Sequence, residues 1–394
     1  LKLRILEMEG FMQKEKLVPA IRFKGFDEEW EVKKINQILS PIVSNLTMLC
    51  IQEKGLYPVY DANNIVGYSS YALSSVPYLT IIKDGAGVGR TRKLPANSSF
   101  LGTMTGLTPK NSDIDFTYNL ISSLKLEKNF SGSTIPHIYF SDYGKYLVYV
   151  PSIIEQEKIG KFFSSLDLII ESQKSKLENL QTIKRSLLGK MFASENQKIP
   201  EIRFKGFDEP WKLNKFSDLY NCNNEKNINI RYTEKNIISV ANMYFKNEQK
   251  ISNTEYLKSY NIFHLGDIAY EGNKSANYRY GRFVVNTIGS GIVSHVFEVF
   301  KPVMKEYDLY FWKYYINNEN IMRNVLRDST KSATMMATLV KKDLSNQFIK
   351  TTSIVEQQKI GAFFSNLDSL ISSQELKLEK LNNLKQALLE KMFC

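Results

Sequence analysis

Apolar residues recur at spacings of three and four along a stretch of about forty residues, and that stretch occurs twice. In residues 152–192 the positions are Ile159, Phe162, Leu166, Ile169, Leu177, Leu180, Ile183, Leu187 and Met191. In residues 353–393 they are Ile360, Phe363, Leu367, Leu370, Leu378, Leu381, Leu384, Leu388 and Met392. The copies align at an offset of 201 without a gap, and 24 of the 40 residues after the shared serine are identical. This period predicts one long helix per copy with a coiled-coil-like seam. Each copy opens on Ser-x-x-Glu (Ser152 with Glu155, Ser353 with Glu356), which predicts a capping box, and Pro151 stands just ahead of the first. Forty residues at ~1.5 Å each make rods of roughly 60 Å, which pack most simply on each other. Gln173 and Gln374 fall on the seam at equivalent positions, where a polar residue either fixes register or leaves a wet point.

A second self-match has a different offset. Residues 20–30 (AIRFKGFDEEW) and 201–211 (EIRFKGFDEPW) lie 181 apart and share eight consecutive residues. Phe23 and Phe26, Phe204 and Phe207, and a tryptophan in each copy suggest an aromatic clip, with Gly25 and Gly206 allowing a turn. We read these stretches as joints between modules.

Between joint and helix the pattern changes to short apolar and β-branched runs bounded by turn residues. Residues 31–150 include 78–83 (YLTIIK), the turn 84–89 (DGAGVG) and 146–150 (YLVYV). Residues 212–351 include strand-like runs at 236–240 (NIISV), 282–285 (RFVV) and 293–300 (VSHVFEVF), and a helix is expected over 308–316 (DLYFWKYYI). The two segments share little sequence. The expected fold class is α/β (α+β): two mixed α/β domains joined by two long antiparallel coiled-coil helices, with an internal pseudo-twofold repeat. The expected boundaries are an N-terminal extension (1–18), a first domain with its joint (19–151), the first long helix and linker (152–199), a second domain with its joint (200–352), and the second long helix (353–394).

Composition narrows the function. The 394 residues are 43% hydrophobic and 12% aromatic, enough for two or more domains with real cores. No apolar run approaches the roughly 18 residues of a membrane span, and no signal peptide is expected. Residues 1–11 have no counterpart in the second repeat; the chain opens on Leu1, and Met12 is the expected native start. Three cysteines and three histidines are scattered, which fits a reducing cytoplasm and offers no metal-ligand spacing. The net charge of +11 is uneven: residues 31–150 carry +3, residues 212–351 carry +7, and all the rest +1. The excess lies in the variable domains and points to a polyanionic partner.

Candidate contacts follow from residue type. The loop 84–89 lacks the full spacing of a nucleotide-binding glycine loop. With Lys83, Arg90, Arg92 and Lys93 around it, it reads better as a turn beside DNA phosphates, its backbone N–H groups and arginines facing phosphate oxygens or guanine edges. In the second domain, residues 270–282 (YEGNKSANYRYGR) offer Asn273, Lys274, Ser275, Arg279 and Arg282 as donors and three tyrosines as apolar surfaces. Arg323, Arg327 and Lys331 add a later basic run, and Thr134 is a further candidate in the first domain. Catalytic signatures are missing: the 11 prolines are never adjacent, so no Asn/Asp-Pro-Pro-aromatic amino-methyltransferase run exists, and there is no Walker A sequence or His-Glu-x-x-His.

Taken together, the paired P-x-I-R-F-K-G-F segments (19–26 and 200–207) and the paired E-Q-x-K-I-G-x-F-F segments (155–163 and 356–364) resemble the specificity (S) subunit of type I restriction–modification enzymes. Residues 131–136 (SGSTIP), 266–268 (GDI) and 291–294 (GIVS) add family-like features, and the resemblance runs from about residue 19 to the end. It implies two target-recognition domains, each reading one half of a split DNA site, and two helices acting as spacer. It further implies that helices and joints bind two methyltransferase (M) subunits, that restriction (R) subunits can join, and that S-adenosylmethionine, ATP and magnesium sit on those partners. The residues expected to carry helix pairing and docking are Phe23, Phe26, Ile159, Phe162, Leu166, Gln173, Leu180, Phe204, Phe207, Ile360, Phe363, Leu367, Gln374 and Leu381. The extension 1–18 and the loop 328–337 (DSTKSATMMA) depart from the family pattern. Two other readings remain: a methyltransferase with fused recognition domains, and a coiled-coil scaffold that does not bind DNA.

Overall fold

The computed structural model describes residues 18–128, 136–246, 254–332 and 335–393. By internal contact the chain divides into two units, Leu1–Lys174 with Leu376–Cys394, and Ser175–Glu375. Each long helix, Ile153–Lys190 and Ile354–Met392, therefore gives one half to each unit.

The first unit is built on a four-stranded antiparallel sheet in the order Leu39–Val43, Met104–Pro109, Tyr78–Ile82, Thr91–Leu94. Tyr78–Ile82 is buried along its whole length, as a continuous apolar run at a sheet centre should be. The helix Ile114–Ser123, N-capped by Asp113, packs on this sheet. A separate ladder pairs Glu31–Lys34 with Leu147–Val150, which brings the joint's exit beside the start of the long helix. The core gathers Trp30, Leu79, Leu107 and Phe116 with Ile159 and Phe163 of the first long helix. Leu389, Met392 and Phe393, at the far end of the sequence, complete it. Phe393 has ring neighbours in Phe116 at 5.5 Å, Phe163 at 5.9 Å and Trp30 at 6.5 Å.

The second unit repeats this plan. Its sheet runs Tyr220–Cys222, Glu298–Pro302, Ile268–Glu271, Arg282–Val285, all antiparallel, and Lys212–Lys215 pairs with Phe348–Thr351. Its core joins Trp211, Phe311, Trp312, Ile360 and Phe364 to Met191 and Phe192 from the end of the first long helix. Phe192 lies 5.7 Å from Phe364 and 6.3 Å from Trp211.

Within each unit the halves of the two long helices run antiparallel. In the first, Phe163 meets Phe393 and Asp167 accepts from Lys385 at 2.5 Å. In the second, Phe364 meets Phe192, Asp368 pairs with Lys184, and Glu375 accepts from Gln181 at 3.3 Å.

Several details differ from the sequence pattern. Residues 293–300 are two strands, Gly291–Val293 and Glu298–Pro302, because the chain turns at 294–297. Of 236–240, only Ile238–Ser239 is extended, after a 3-10 turn at Glu234–Asn236. Ile169, Ile183, Leu370 and Leu384, placed on the seam by their spacing, are 47–50% exposed, since a two-helix seam covers a narrower stripe than the period marks. The fully buried phenylalanines are Phe163 and Phe364; Phe162 and Phe363, one residue earlier, face the joints instead.

Candidate nucleic-acid interface and its framework

The repeated residues form one set of contacts, made twice. Arg22 donates to both carboxylate oxygens of Glu155 at 2.7 and 2.8 Å, and Arg203 does the same to Glu356 at 2.6 and 2.8 Å. Both glutamates are at most 1% exposed, so the bidentate arginine is what makes their burial tolerable. The expected capping boxes therefore do not close through their glutamates, which reach the joint arginines. Phe23 meets Phe162 edge-on at 5.7 Å, and Phe204 meets Phe363 at 6.0 Å. Lys158 lies 5.0 Å over Phe23 and 5.2 Å over Phe26, and Lys359 lies 4.8 Å over Phe207. The joint also closes each helix end: Ile21 N–H donates to the Lys391 carbonyl and Ile202 N–H to the Lys190 carbonyl, both at 3.0 Å.

The next residues of the motif hold the domain's own helix. Gln156 Oε1 accepts from Asp113 N at 3.0 Å and from Ser112 Oγ at 2.6 Å, while its Nε2 donates to the Pro151 carbonyl at 2.9 Å. Gln357 accepts from Asp308 N at 3.4 Å and donates to the Thr352 carbonyl at 2.9 Å. Asp113 and Asp308 in turn cap Phe116 N and Phe311 N at 2.7 Å. Gly160 and Gly361 let these caps lie on the long helix: a Cβ at either would collide with the aspartate carboxylate and crowd the phenylalanine nitrogen to 2.8 or 2.7 Å. Sequence reading missed Arg22, Glu155, Gln156, Gly160 and their counterparts as a set. Their identity in both repeats was the available signal.

Of the residues proposed for partner binding, Ile159, Leu166 and Ile360 are buried. Phe23, Phe162, Phe204 and Phe363 are engaged in the joint contacts above, with Phe26 and Phe207 beneath lysines. Gln374 is 6% exposed, and Gln173, Leu180, Leu367 and Leu381 are half-buried.

The glycine loop of the first domain does not present a phosphate cradle. Gly85 N, Val88 N, Gly89 N and Arg90 N all donate to carbonyls, of Pro136, Gly85, Ile82 and Gly87. Asp84 is flanked by His137 Nδ1 at 2.7 Å and by Lys83 at 3.7 Å. Arg90 is exposed and hydrogen-bonds the Ala62 carbonyl and Asn63 Oδ1. Arg92 and Lys93 are neighbours on a strand and so take opposite faces. The Arg92 guanidinium lies 5.1 Å over Tyr60, and Lys93 pairs with Asp115 of the helix. Thr134 lies outside the described residues.

The second-domain loop divides into two sets. Tyr270, Tyr278 and Arg282 are fixed inward. Tyr270 donates to the Tyr280 carbonyl at 2.8 Å, and Tyr278 to Asn317 Oδ1 at 2.8 Å. Arg282 bonds Glu271 at 2.7 Å and the Ala241 carbonyl at 3.0 Å, with Tyr278 4.8 Å beneath it. Asn273, Ser275 and Arg279 are exposed, and Lys274 is half-buried. The strands Thr330–Ser332 and Ala337–Leu339 pair, and the Asn273–Met336 bridge sets them beside this loop, with Lys331 exposed. Arg323 and Arg327 are paired with Glu319 and Asp328.

Beside the loop, a groove of about 940 Å³ is lined by Arg185, Asn242, Asn277 and Tyr278, and by Lys184, Lys313 and Arg323, which pair with Asp368 and Glu319 in the same lining. Its donors and aromatic ring suit a phosphate-bearing strand. Arg185, on a long helix, was not singled out from sequence because its neighbours mark a pairing surface.

Among the described residues, no group of three or more His, Cys, Asp or Glu could hold a metal ion. No described helix is long and apolar enough to cross a membrane. Cys50 and Cys222 are free and exposed.

Residues 27–182 match the family model described as the type I restriction modification DNA specificity domain. The matched residues take in the four-stranded sheet of the first unit, its capped helix, and Glu155, Gln156 and Gly160. The type I restriction enzyme MjaVIII specificity subunit of Methanocaldococcus jannaschii is 24% identical over 217 residues; the chain spans about half of that relative, 51%, with 50% of its own length. In fold, the chain is similar to the S subunit of a type I restriction–modification system from M. genitalium, with a TM-score of 0.61 and 16% identity over 96% of this chain and 99% of that one. It is also similar to a chain from a structure of type I R-M complex assembly and conformational transition, with a TM-score of 0.51 and 14% identity over 92% and 97%. At these identities the likeness speaks of the fold.

Proposed function

We propose that this chain is the DNA-reading subunit of a type I restriction–modification assembly. Each recognition domain reads one half of a bipartite duplex site, and the long helices space the readers and dock two methyltransferase subunits. One observation carries this reading: the same framework of arginine–glutamate pairs, glutamine bonds and phenylalanine contacts is made twice and holds two sheets whose outward loops differ. Equivalent frames holding different loops suit a pair of readers with different targets. The basic excess in the variable domains supports a DNA partner. The chain itself is non-catalytic in this reading, S-adenosylmethionine, ATP and magnesium being supplied on the M and R subunits, and its place of action is the cytoplasm.

The test is a domain exchange in cells that also express the partner methyltransferase. Replacing residues 31–150 with the corresponding segment of another such protein should change one half of the methylated motif and leave the other intact. It should leave the native mass of the assembly showing the same number of methyltransferase subunits. A change in both halves together would overturn the two-reader model. Binding of S-adenosylmethionine to the isolated chain would favour a fused methyltransferase, and the absence of any salt-dependent shift with duplex DNA would favour a scaffold.

A further inference from the structure

We propose that Gln156 and Gln357, each seated against a glycine one turn further along the helix, are the positioning residues that fix the angle of each recognition domain on its long helix. They thereby set how tightly the gap between half-sites is defined. This rests on the DNA-reading function proposed above.

Each glutamine joins three pieces of chain. Its Nε2 holds the carbonyl just ahead of the long helix, Pro151 at 2.9 Å or Thr352 at 2.9 Å. Its Oε1 accepts a backbone N–H at the start of the domain's own helix, Asp113 N at 3.0 Å or Asp308 N at 3.4 Å. Its stem lies on the long helix itself. Both side chains are 3% exposed, so water does not compete for these bonds. An amide suits this position because it donates on one side and accepts on the other, and it brings no charge beside the Asp113 or Asp308 carboxylate. Gly160 and Gly361 set the distance, because a methyl group there would push the helix start outward. Direction and distance of the domain helix are thus both fixed within one turn of the long helix.

The two latches are unequal. Gln156 also accepts from Ser112 Oγ at 2.6 Å, and its bond to Asp113 N is the shorter. In the second unit the residue ahead of the cap is Tyr307, whose hydroxyl donates to the Gly266 carbonyl at 2.8 Å. The first domain is therefore held by three bonds from its glutamine and the second by two. The small angular freedom of a domain is magnified at its outer loops, where bases are read, so loosening a latch should blur the gap without altering the bases recognised.

The experiment sequences methylated motifs in cells carrying the full chain with its partner methyltransferase. Gln156→Met and Gln357→Met preserve volume and remove the bonds; Gly160→Ala and Gly361→Ala, which push the helix start outward, are the second pair. The expected result is unchanged half-site sequences, with methylation at gaps one base pair longer or shorter rising at least tenfold over wild type. The Gln156→Met effect should exceed that of Gln357→Met. An unchanged single gap in variants that assemble, altered half-site sequences, or equal loss of methylation at every gap would each overturn the latch. Failure of the wild type to yield any bipartite motif would instead overturn the proposed function.

Discussion

The two units share a frame and differ in how far the sheet-bearing domain engages the paired helices. In the first unit the helix–helix ion pair stands alone: Lys385 meets Asp167 at 2.5 Å. The equivalent pair in the second unit, Lys184 with Asp368, is the centre of a cluster. Tyr314 Oη donates to Asp368 at 2.6 Å and Lys313 approaches it at 3.3 Å, both from the domain helix Leu309–Ile316. Counted from the aspartate caps, Tyr314 falls where the first unit has Asn119, a residue too short for this reach. The first domain adds to its glutamine bonds a single salt bridge, Lys125 to Glu390 at 3.0 Å, where the second adds this charged cluster. One framework thus accommodates unrelated domain sequences by keeping the bonds at the helix start and letting those one turn further on vary.

The largest effect should come from what the units share. Glu155→Ala and Glu356→Ala each remove a buried carboxylate from a bidentate pair with a part-buried arginine, a change that costs up to about 3–5 kcal/mol where the pair is fully enclosed. Hydrogen exchange should show lost protection confined to residues 18–174 and 376–393 for the first variant and to 175–375 for the second. Loss spread evenly over the chain by either variant would mean that the two frames do not support separate units.

This shared frame was only half legible in the sequence. The repeats announced two long helices and two joints, and the helix and strand periods placed Tyr78–Ile82, Arg282–Val285 and Leu309–Ile316 correctly. The reach of Glu155 to Arg22 spans 133 positions, and local capping chemistry offered a nearer, incorrect partner. Periodicity marked Phe162 rather than Phe163 because both fit a spacing of three or four within one turn. The basic loops were found by composition, but composition does not distinguish Arg282, fixed on Glu271, from Arg279 in solvent. That distinction depends on which strand residues face which side of the sheet.

The next effect separates the units. Asp368→Asn removes a carboxylate serving three partners, and a loss of about 1–3 kcal/mol is expected for a charged hydrogen-bonded group. Asp167→Asn, which breaks a single partly exposed pair, should cost about 0–1 kcal/mol. Burial pushes the Asp368 carboxyl up, but the hydrogen bonds from Lys184 and Tyr314 and the charges of Lys184 and Lys313 outweigh it and hold it below the ordinary value. Its contribution is therefore present above the ordinary aspartate pKa and lost as pH falls through the depressed one. Denaturant titrations between pH 2 and 6 should show Asp368→Asn flattening that acid limb, and equal costs for the two variants would erase the contrast between the units.

A smaller effect has the opposite sign. Burial pushes the Asp267 carboxyl up to about 6, only partly offset by the His264 backbone N–H, the His264 and Lys301 charges. The contribution of the protonated form is complete below the ordinary aspartate value and is lost as pH rises through about 6. The first unit has Pro77 at the matching place ahead of its central strand. Asp267→Asn should keep an acceptor for His264 N–H and raise stability at pH 8 by on the order of 1 kcal/mol relative to pH 4. A pH-independent difference between variant and wild type would show that this carboxyl does not titrate in the window.

The finest contrast concerns the arginines proposed to meet DNA, and it follows from how each is held. Arg279 is exposed, 5.9 Å over the Tyr280 ring, and the structure gives it no carboxylate partner among the ion pairs of the described residues. Arg90 is exposed too, but its guanidinium is engaged with the Ala62 carbonyl and Asn63. An arginine bound to neutral groups retains its full charge, so both can neutralise a phosphate; the engaged one must first give up bonds or use its remaining N–H groups. If both arginines contact phosphate, Arg279→Ala and Arg90→Ala should each lower the slope of log affinity against log salt by about one unit, weakening all sequences alike. Arg282→Ala should differ from both. Its guanidinium is held by Glu271 and not turned towards a phosphate, so removing it leaves that buried carboxylate unpaired and releases Tyr278 and the loop that carries Arg279. That variant should keep the salt slope and lose affinity through loop disorder, most visibly for the half-site that the proposed function gives to the second domain. Fluorescence anisotropy on cognate and scrambled duplexes at four salt concentrations separates the cases. A slope change for Arg282→Ala with none for Arg279→Ala would mean that the inward set, and not the outward one, meets the DNA.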